Sequence, residues 1–382
     1  MAASSGVGGG GLKQLSGADR VPSLTGVRAF AAMLVVATHA AYTTGKYTHG
    51  YAGLVFSRME IGVPIFFVLS GFLLFGPWVK ATVVGAEPPS LSRYVWHRVR
   101  RIMPAYVVTV LAAYALYHFR TAGPNPGHTW LGLIRNLTLT QIYTDDYMFS
   151  HLHQGLTQMW SLAVEVSFYV VLPFLAYLLL AVLCGRRWHP VRLLAGLVAL
   201  ALISPAWMVL VHTTDFLPDG ARLWLPGYLA WFVGGMVLAV LVHVESARCY
   251  GFVAVPLGLV CFFVVSTPVA GEPTTSPKAL TEALVKIGFY TVIAVLVVAP
   301  PALGDKGWYT RLLGTRPMVW LGEISYEIFL VHLVVMEIAM VEVLHWQVYT
   351  GSMPVLLIVT MIMTIPVAWV LHRFTRPTAQ AR

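Results

Sequence analysis

The chain has 382 residues, of which 58% are hydrophobic and only 11% charged, with a mean hydropathy of +0.73. Soluble domains carry about 25% charged residues, so a water-soluble enzyme is excluded and a polytopic membrane protein is expected. The net charge of +9 does not point to nucleic acid, because the basic residues gather in short loops between apolar runs rather than on a free basic domain.

Residues 1–20, with their GVGGGG run, are expected to form a flexible cytoplasmic tail, since they hold neither the apolar core nor the cleavage site of a signal peptide. Ten apolar runs follow, near 27–44, 60–79, 102–118, 158–183, 191–211, 224–243, 250–268, 284–301, 318–343 and 354–372. Each has about 17 to 25 residues, enough to cross roughly 30 Å of hydrocarbon at about 1.5 Å per residue. The expected fold class is all-α: a polytopic transmembrane helix bundle of about ten helices over residues 21–374, followed by a short cytoplasmic tail at 375–382.

Loops after the second, fourth, sixth and eighth runs hold Lys80, Arg93, Arg98, Arg100, Arg101, Arg186, Arg187, Arg192, Arg248, Lys306, Arg311 and Arg316. The alternate loops hold only Lys46, Arg58, Arg120, Arg135, Arg222 and Lys278. Cytoplasmic loops retain positive charge, so both termini are expected in the cytoplasm, in a multi-pass protein of the inner (plasma) membrane. The cytoplasmic loop 80–101 ends in RYVWHRVRRIMP, an expected interfacial helix feeding the third span. The external loop 119–157 contains GPNPGHTW and HLHQG and is expected to form a partly ordered lid or vestibule. Cys184, Cys249 and Cys261 form no CxxC pair, which argues against disulfides and a cysteine-bound metal.

An ionisable side chain at mid-membrane costs at least roughly 2.5–3.5 kcal/mol, so each one is a functional candidate. The first run, TGVRAFAAMLVVATHA, holds Arg28 and His39 eleven residues apart. That spacing is about 16 Å and almost three turns, so the two share one face, Arg28 near the cytoplasmic boundary and His39 in the outer half. The plainer alternatives are an arginine snorkelling to headgroups and a histidine satisfied in helix packing. In the second run, GVPIFFVLSGFLLFGPW, Ser70 and Gly71 allow close helix approach, the preferred role for the glycine. Arg98, Arg100 and Arg101 at the cytoplasmic mouth serve topology, or hold phosphate through guanidinium forks.

The fourth run, WSLAVEVSFYVVLP, carries Glu165 about two turns from its outer end, near the depth expected for His39. A carboxylate there would orient the imidazole and fix its tautomer, as general-base catalysis requires; the alternative is an inter-helix hydrogen bond serving only assembly. The ninth run, LGEISYEIFLVHLVVMEIAM, holds Glu323, Glu327, His332 and Glu337, and so many polar groups suggest that it lines a watery cavity. Signatures such as GxSxG, the P-loop and HExxH are absent, and His151 with His153 makes an HxH pair lacking a third ligand, so no bound metal is expected.

Taken together, these stretches resemble the acyltransferase-3 family of integral membrane O-acyltransferases. LTGVRAFAAMLVVATHA matches its arginine-ten-residues-histidine signature, GVPIFFVLSGFLL its second-helix motif, and RVRRIMPAY its RxxR-I-x-P motif through Arg98 and Arg101. WSLAVEVSFYVVLP is similar to its glutamate motif around Glu165, and LGEISYEIFLVH to its late motif with Ser325, Tyr326 and His332. Five motifs in order are specific where one alone is not. Two departures stand out: Thr375 in RFTRP occupies the place of a glutamate common in the family, and no appended esterase-like domain is seen, so the protein is expected to act alone or hand its product to another.

The resemblance implies an acyl-CoA-dependent acyltransferase without a permanently bound cofactor. Arg98 and Arg101, with Arg28 and Ser70, would hold the donor; His39 would act as general base or nucleophile with Glu165 in support; Ser325, Tyr326 and His332 would meet substrate. Stand-alone members resemble enzymes that decorate cell-envelope glycans or glycolipids, arabinogalactan being one such acceptor. Succinyl-CoA is one candidate donor; a dicarboxylic acyl group needs a nearby cation, for which Lys286 is the candidate, interfacial anchoring being its plainer role. The opposing classes are a transporter or flippase for an anionic substrate and a membrane sensor or scaffold.

Overall fold

The structure, a computed structural model, describes residues 21–120, 123–145, 147, 151–244, 247–272 and 279–376. The expected tail 1–20, the end of the tail 375–382 and Lys278 lie outside the described residues. The described residues are helical, with no strand among them. Lipid offers the backbone no hydrogen-bonding partner, and helices satisfy their own amides and carbonyls within the segment.

Eight helical stretches are long and apolar enough to cross a membrane. They are α1 (Pro22–Thr43); α2 (Gly50–Arg58) running on through a turn into α3 (Gly62–Val84); α4 (Leu91–Phe119); α6 (Met159–Ala176), extended by a π-helical turn; α7 (Pro190–Ala201) with α8 (Ile203–Thr213); α9 (Leu225–Leu241); α11 (Leu280–Ala302); and α15 (Met353–Thr375). A ninth span is broken: α13 (Arg316–Glu323) meets α14 (Ser325–Ile338) at 69°. The seventh expected span, α10 (Gly251–Val265), has 15 residues. That is about 22 Å, short of the roughly 30 Å of hydrocarbon, so its apolarity exceeded its reach. Short helices α5 (Trp130–Leu137) and α12 (Trp308–Leu313) complete the set.

Helix α1 lies at the centre, packed against α3, α11, α13, α14 and α15. The Pro22 ring suits its first turn, where the missing amide hydrogen would be unpaired in any case. Beside it, α3 and α9 cross at contact distance because both present glycine: a Cβ on Gly71 would lie 1.9 Å from the Phe232 carbonyl oxygen, and one on Gly235 the same distance from that of Val68. The close-approach role expected for Gly71 is what the crossing requires. The loop expected to hold only a short interfacial helix is instead absorbed into α4, which begins at Leu91 and carries RYVWHRVRR continuously into the span.

Arg58, at the end of α2, is 1% exposed and donates to the carbonyls of Val265, Ala270 and Gly271 at 3.1, 3.0 and 2.5 Å. A guanidinium suits these free carbonyls at the end of α10, where the helix dipole is negative. It thereby ties α10 and the following turn to the start of α3.

Candidate functional site

Two polar clusters lie along α1. The inner one centres on Glu165 of α6. Ser70 of α3 donates its hydroxyl to Glu165 Oε1, and Tyr169, one turn further along α6, donates to the same oxygen at 2.5 Å. Tyr94 of α4 closes the group by donating to the Tyr169 carbonyl at 3.1 Å. Arg28 lies within electrostatic reach of Arg101, Tyr169, Glu165 and Arg376, and Arg98 within reach of Tyr169, Arg101 and Glu165. The Arg98 guanidinium sits 6.0 Å from the Tyr94 ring centre, with a buried Nε that has no hydrogen-bonding partner among the described residues. A cleft of about 190 Å³ opens here, lined by Trp78, Arg93, Tyr94, His97 and Arg98. One carboxylate among several guanidiniums leaves positive charge in excess, the condition for holding a polyanion.

The outer cluster centres on His39. Its Nδ1 is 2.8 Å from the Val35 carbonyl and 3.2 Å from Nε2 of His332 on α14, the rings lying 5.0 Å apart. His332 is fully buried, and its Nδ1 approaches the carbonyls of Phe329 and Ile328 at 2.8 and 3.2 Å. Carbonyl oxygens only accept, so both imidazoles carry hydrogen on Nδ1; the tautomers follow from these partners. His332 Nε2 therefore accepts from His39 Nδ1–H, and His39 Nε2 keeps its lone pair with no protein partner among the described residues. A neutral histidine held from behind with a free Nε2 is equipped to take a proton from a hydroxyl.

Glu165 is not the group that orients His39; His332 is. The sequence estimate matched two residues by depth, but depth does not fix the direction in which a side chain leaves its helix. Glu165 faces α3 and the arginines, while His39 faces α14. Ser70 binds Glu165, and Arg28, Arg98 and Arg101 lie within electrostatic reach of the Glu165–Tyr169 pair. Ser325 and Tyr326 are bound to backbone: Ser325 donates to the Gly322 carbonyl at 2.8 Å across the bend between α13 and α14, and Tyr326 to that of Ile102 at 3.0 Å, fastening α14 to α4. Thr375 donates to the Leu371 carbonyl at 2.7 Å in its own helix.

Two of the three acids expected to line a watery cavity are paired with other helices. Glu327, 1% exposed, meets His372 at 3.1 Å and Arg376 at 3.6 Å, while Glu337 accepts from Tyr117 at 2.5 Å and faces Arg120 at 3.9 Å. A buried carboxylate is tolerated when a base and hydrogen bonds meet it, and such pairs are what these helices supply. His153 is buried in the loop between α4 and α6, where Asn125 and His128 both face its Nε2 at 3.5 and 3.2 Å.

Sequence reasoning missed two residues. Tyr169 stands one turn from Glu165, a spacing that was available. Glu60, in the turn between α2 and α3, binds Lys286 Nζ at 2.5 Å and the Tyr290 hydroxyl at 2.8 Å, and its charge is felt at His39. Lys286 thus reaches the outer cluster already paired, and the acid beside GVPIFF was the available signal.

A family profile described as "Acyltransferase domain", the acyltransferase-3 profile, matches residues 21–373. The chain is 30% identical over 330 residues to the acyltransferase MdmB of Streptomyces mycarofaciens, covering 83% of this chain and 79% of that one. It is 25% identical over 338 residues to the peptidoglycan O-acetyltransferase OatA of Listeria monocytogenes, covering 82% of this chain and 49% of the relative. With the O-acetyltransferase OatA of Staphylococcus aureus it shares 22% identity over 387 residues, covering 93% of this chain and 56% of the relative, so the match spans about half the length of either OatA protein. No solved structure matches the chain.

Proposed function

The chain belongs to the acyltransferase-3 family, whose profile spans it from residue 21 to 373, and from that premise we propose that it carries an acyl group from cytoplasmic acyl-CoA to a hydroxyl of a cell-envelope glycan or glycolipid. The proposed setting is the plasma membrane, with both termini in the cytoplasm and residues 21–374 acting as one transmembrane unit. The observation that carries this reading is the free Nε2 of His39, backed by His332, on the same helix as Arg28 of the arginine cluster.

In this mechanism Arg98, Arg101 and Arg28 hold the donor's phosphates, and the pantetheine arm runs outward along α1 toward His39. His39 Nε2 removes the acceptor hydroxyl's proton as its oxygen attacks the thioester carbonyl. The new C–O bond forms, the C–S bond breaks, and the proton passes from His39 to the departing CoA thiolate. His332 keeps His39 in the tautomer that leaves Nε2 basic. An acyl-imidazole on the same nitrogen is the covalent variant. Glu165, with Ser70 and Tyr169, is assigned to the donor end, where its charge spaces the guanidiniums.

A glycan acceptor such as arabinogalactan is proposed because the Listeria relative is named for O-acetylation of peptidoglycan. A succinyl donor would bring a carboxylate toward Lys286, which would have to leave Glu60 to receive it. The test incubates purified protein with acetyl-CoA or succinyl-CoA, with and without extracted envelope glycan, and follows free CoA. Acceptor-dependent release with alkali-labile acyl groups on the glycan is expected; binding and passage of substrate without any CoA release would leave a transporter instead.

A further inference from the structure

We propose that Glu60 is the positioning residue of the outer cluster, a fixed carboxylate that stabilises the imidazolium formed when His39 takes the acceptor's proton. The inference rests on the transfer reading above and adds to it the charge that reading leaves unbalanced. His332 accepts from His39 as a neutral ring and cannot compensate a new positive charge in a low-dielectric interior, whereas a nearby carboxylate can.

The geometry brings Glu60 to that place. Thr38 of α1, next to His39, donates to the Ser57 carbonyl at 3.0 Å. Gly62 meets α1 so closely that a Cβ there would lie 2.4 Å from the Ala31 carbonyl oxygen and 2.8 Å from a Val35 methyl. The turn Met59–Ile61 is thus clamped from both sides against the stretch of α1 between Ala31 and Thr38, which ends next to His39. The charge of Glu60 is felt at both His39 and Tyr42.

Both contacts to Glu60, from Lys286 and Tyr290, go to Oε1, which leaves Oε2 without a hydrogen-bonding partner among the described residues. Two donors on one oxygen fix the carboxylate in place while the other oxygen stays open. Among the other carboxylates near α1 or α14, Glu165 is engaged by Ser70 and Tyr169, Glu327 by His372 and Arg376, and Glu337 by Tyr117 and Arg120. Arg58 lies beside this turn with its guanidinium on three backbone carbonyls, and its positive charge opposes that of Glu60 at Tyr42 and Tyr290, whereas at His39 Glu60 is the charge that is felt.

Glu60→Gln keeps an acceptor for Tyr290 and removes the charge. With acyl-CoA and acceptor glycan, its kcat is expected to fall about 10- to 100-fold with KM for acyl-CoA unchanged, and Glu60→Asp to recover part of the loss. A merely structural role would lower thermal stability in detergent and leave kcat in place. Should Glu60→Gln fail to fold, Tyr290→Phe removes one anchor and keeps the charge, and a three- to ten-fold fall in kcat is expected. Wild-type kcat in either folded variant, beside an active wild type, overturns this role alone; a wild type that never releases CoA overturns the transfer reading and this role with it.

Discussion

The inner and outer clusters share a helix but are built from opposite materials. Around Glu165 stand permanent charges and two hydroxyls; around His39 stand neutral rings, one carboxylate and its lysine. Guanidiniums cannot lose protons at neutral pH and so suit holding phosphate, whereas an imidazole with an open nitrogen suits moving a proton. On the proposed mechanism, the difference separates binding from chemistry along α1. Substitutions at one end should therefore alter a different kinetic constant from those at the other.

The sharpest test is His39→Ala, which should cost about 100- to 10,000-fold in kcat with KM for acyl-CoA little changed, protein yield and helix content by circular dichroism staying normal. Next comes His332→Ala. It frees His39 to turn, and a loss of about 10- to 100-fold in kcat is expected from the same CoA-release assay. At the inner end the constants exchange roles. Arg98→Ala or Arg101→Ala should each raise KM for acyl-CoA about ten-fold with kcat held, and a fall in kcat alone would break the division between the two regions. Ser70→Ala should have a small effect, because Tyr169 still holds Glu165 Oε1; about 1 kcal/mol of stability and a few-fold rise in KM are expected, read by thermal melting and steady-state kinetics.

Away from the spans, the loop between α4 and α6 gives a contrast in pH. Burial, and then the charge of His128, push the His153 imidazole down to about 3. The unfolded chain binds that proton first, so the loop's stabilisation is complete above about pH 6.5 and is lost as pH falls from there toward 3. Limited proteolysis should cut the 119–157 region faster at pH 4.5 than at pH 7.5, with the spans resistant at both.

Much of the fold was legible because membranes restrict it: apolar runs of sufficient length become helices whatever their order. The 15-residue α10 and the bent α13–α14 pair departed from the count because apolarity alone does not report where a helix stops. Within the site, the Arg28–His39 relation needed only one helix and its period. Motif resemblance grouped Ser70, Arg28, Arg98 and Arg101, but it set Glu165 beside His39 rather than with them. The His39–His332 contact joins residues 293 apart, and nothing local in either stretch encodes it. Glu60 was passed over because it marked the edge of an apolar run, where an acid looks like ordinary interfacial charge.

Helix α1 runs unbroken from Pro22 to Thr43, with no proline after its first residue and no glycine after Gly26. Between Arg28 and His39 it can neither kink at a proline nor flex at a glycine, so the two are held about 16 Å apart as if on a rigid ruler. A ruler selects by length. Acyl thioesters on carriers too short to reach from the arginines to the histidine, such as acyl-cysteamines, would be rejected even with a matching acyl group, so the protein would measure its donor's handle rather than its cargo.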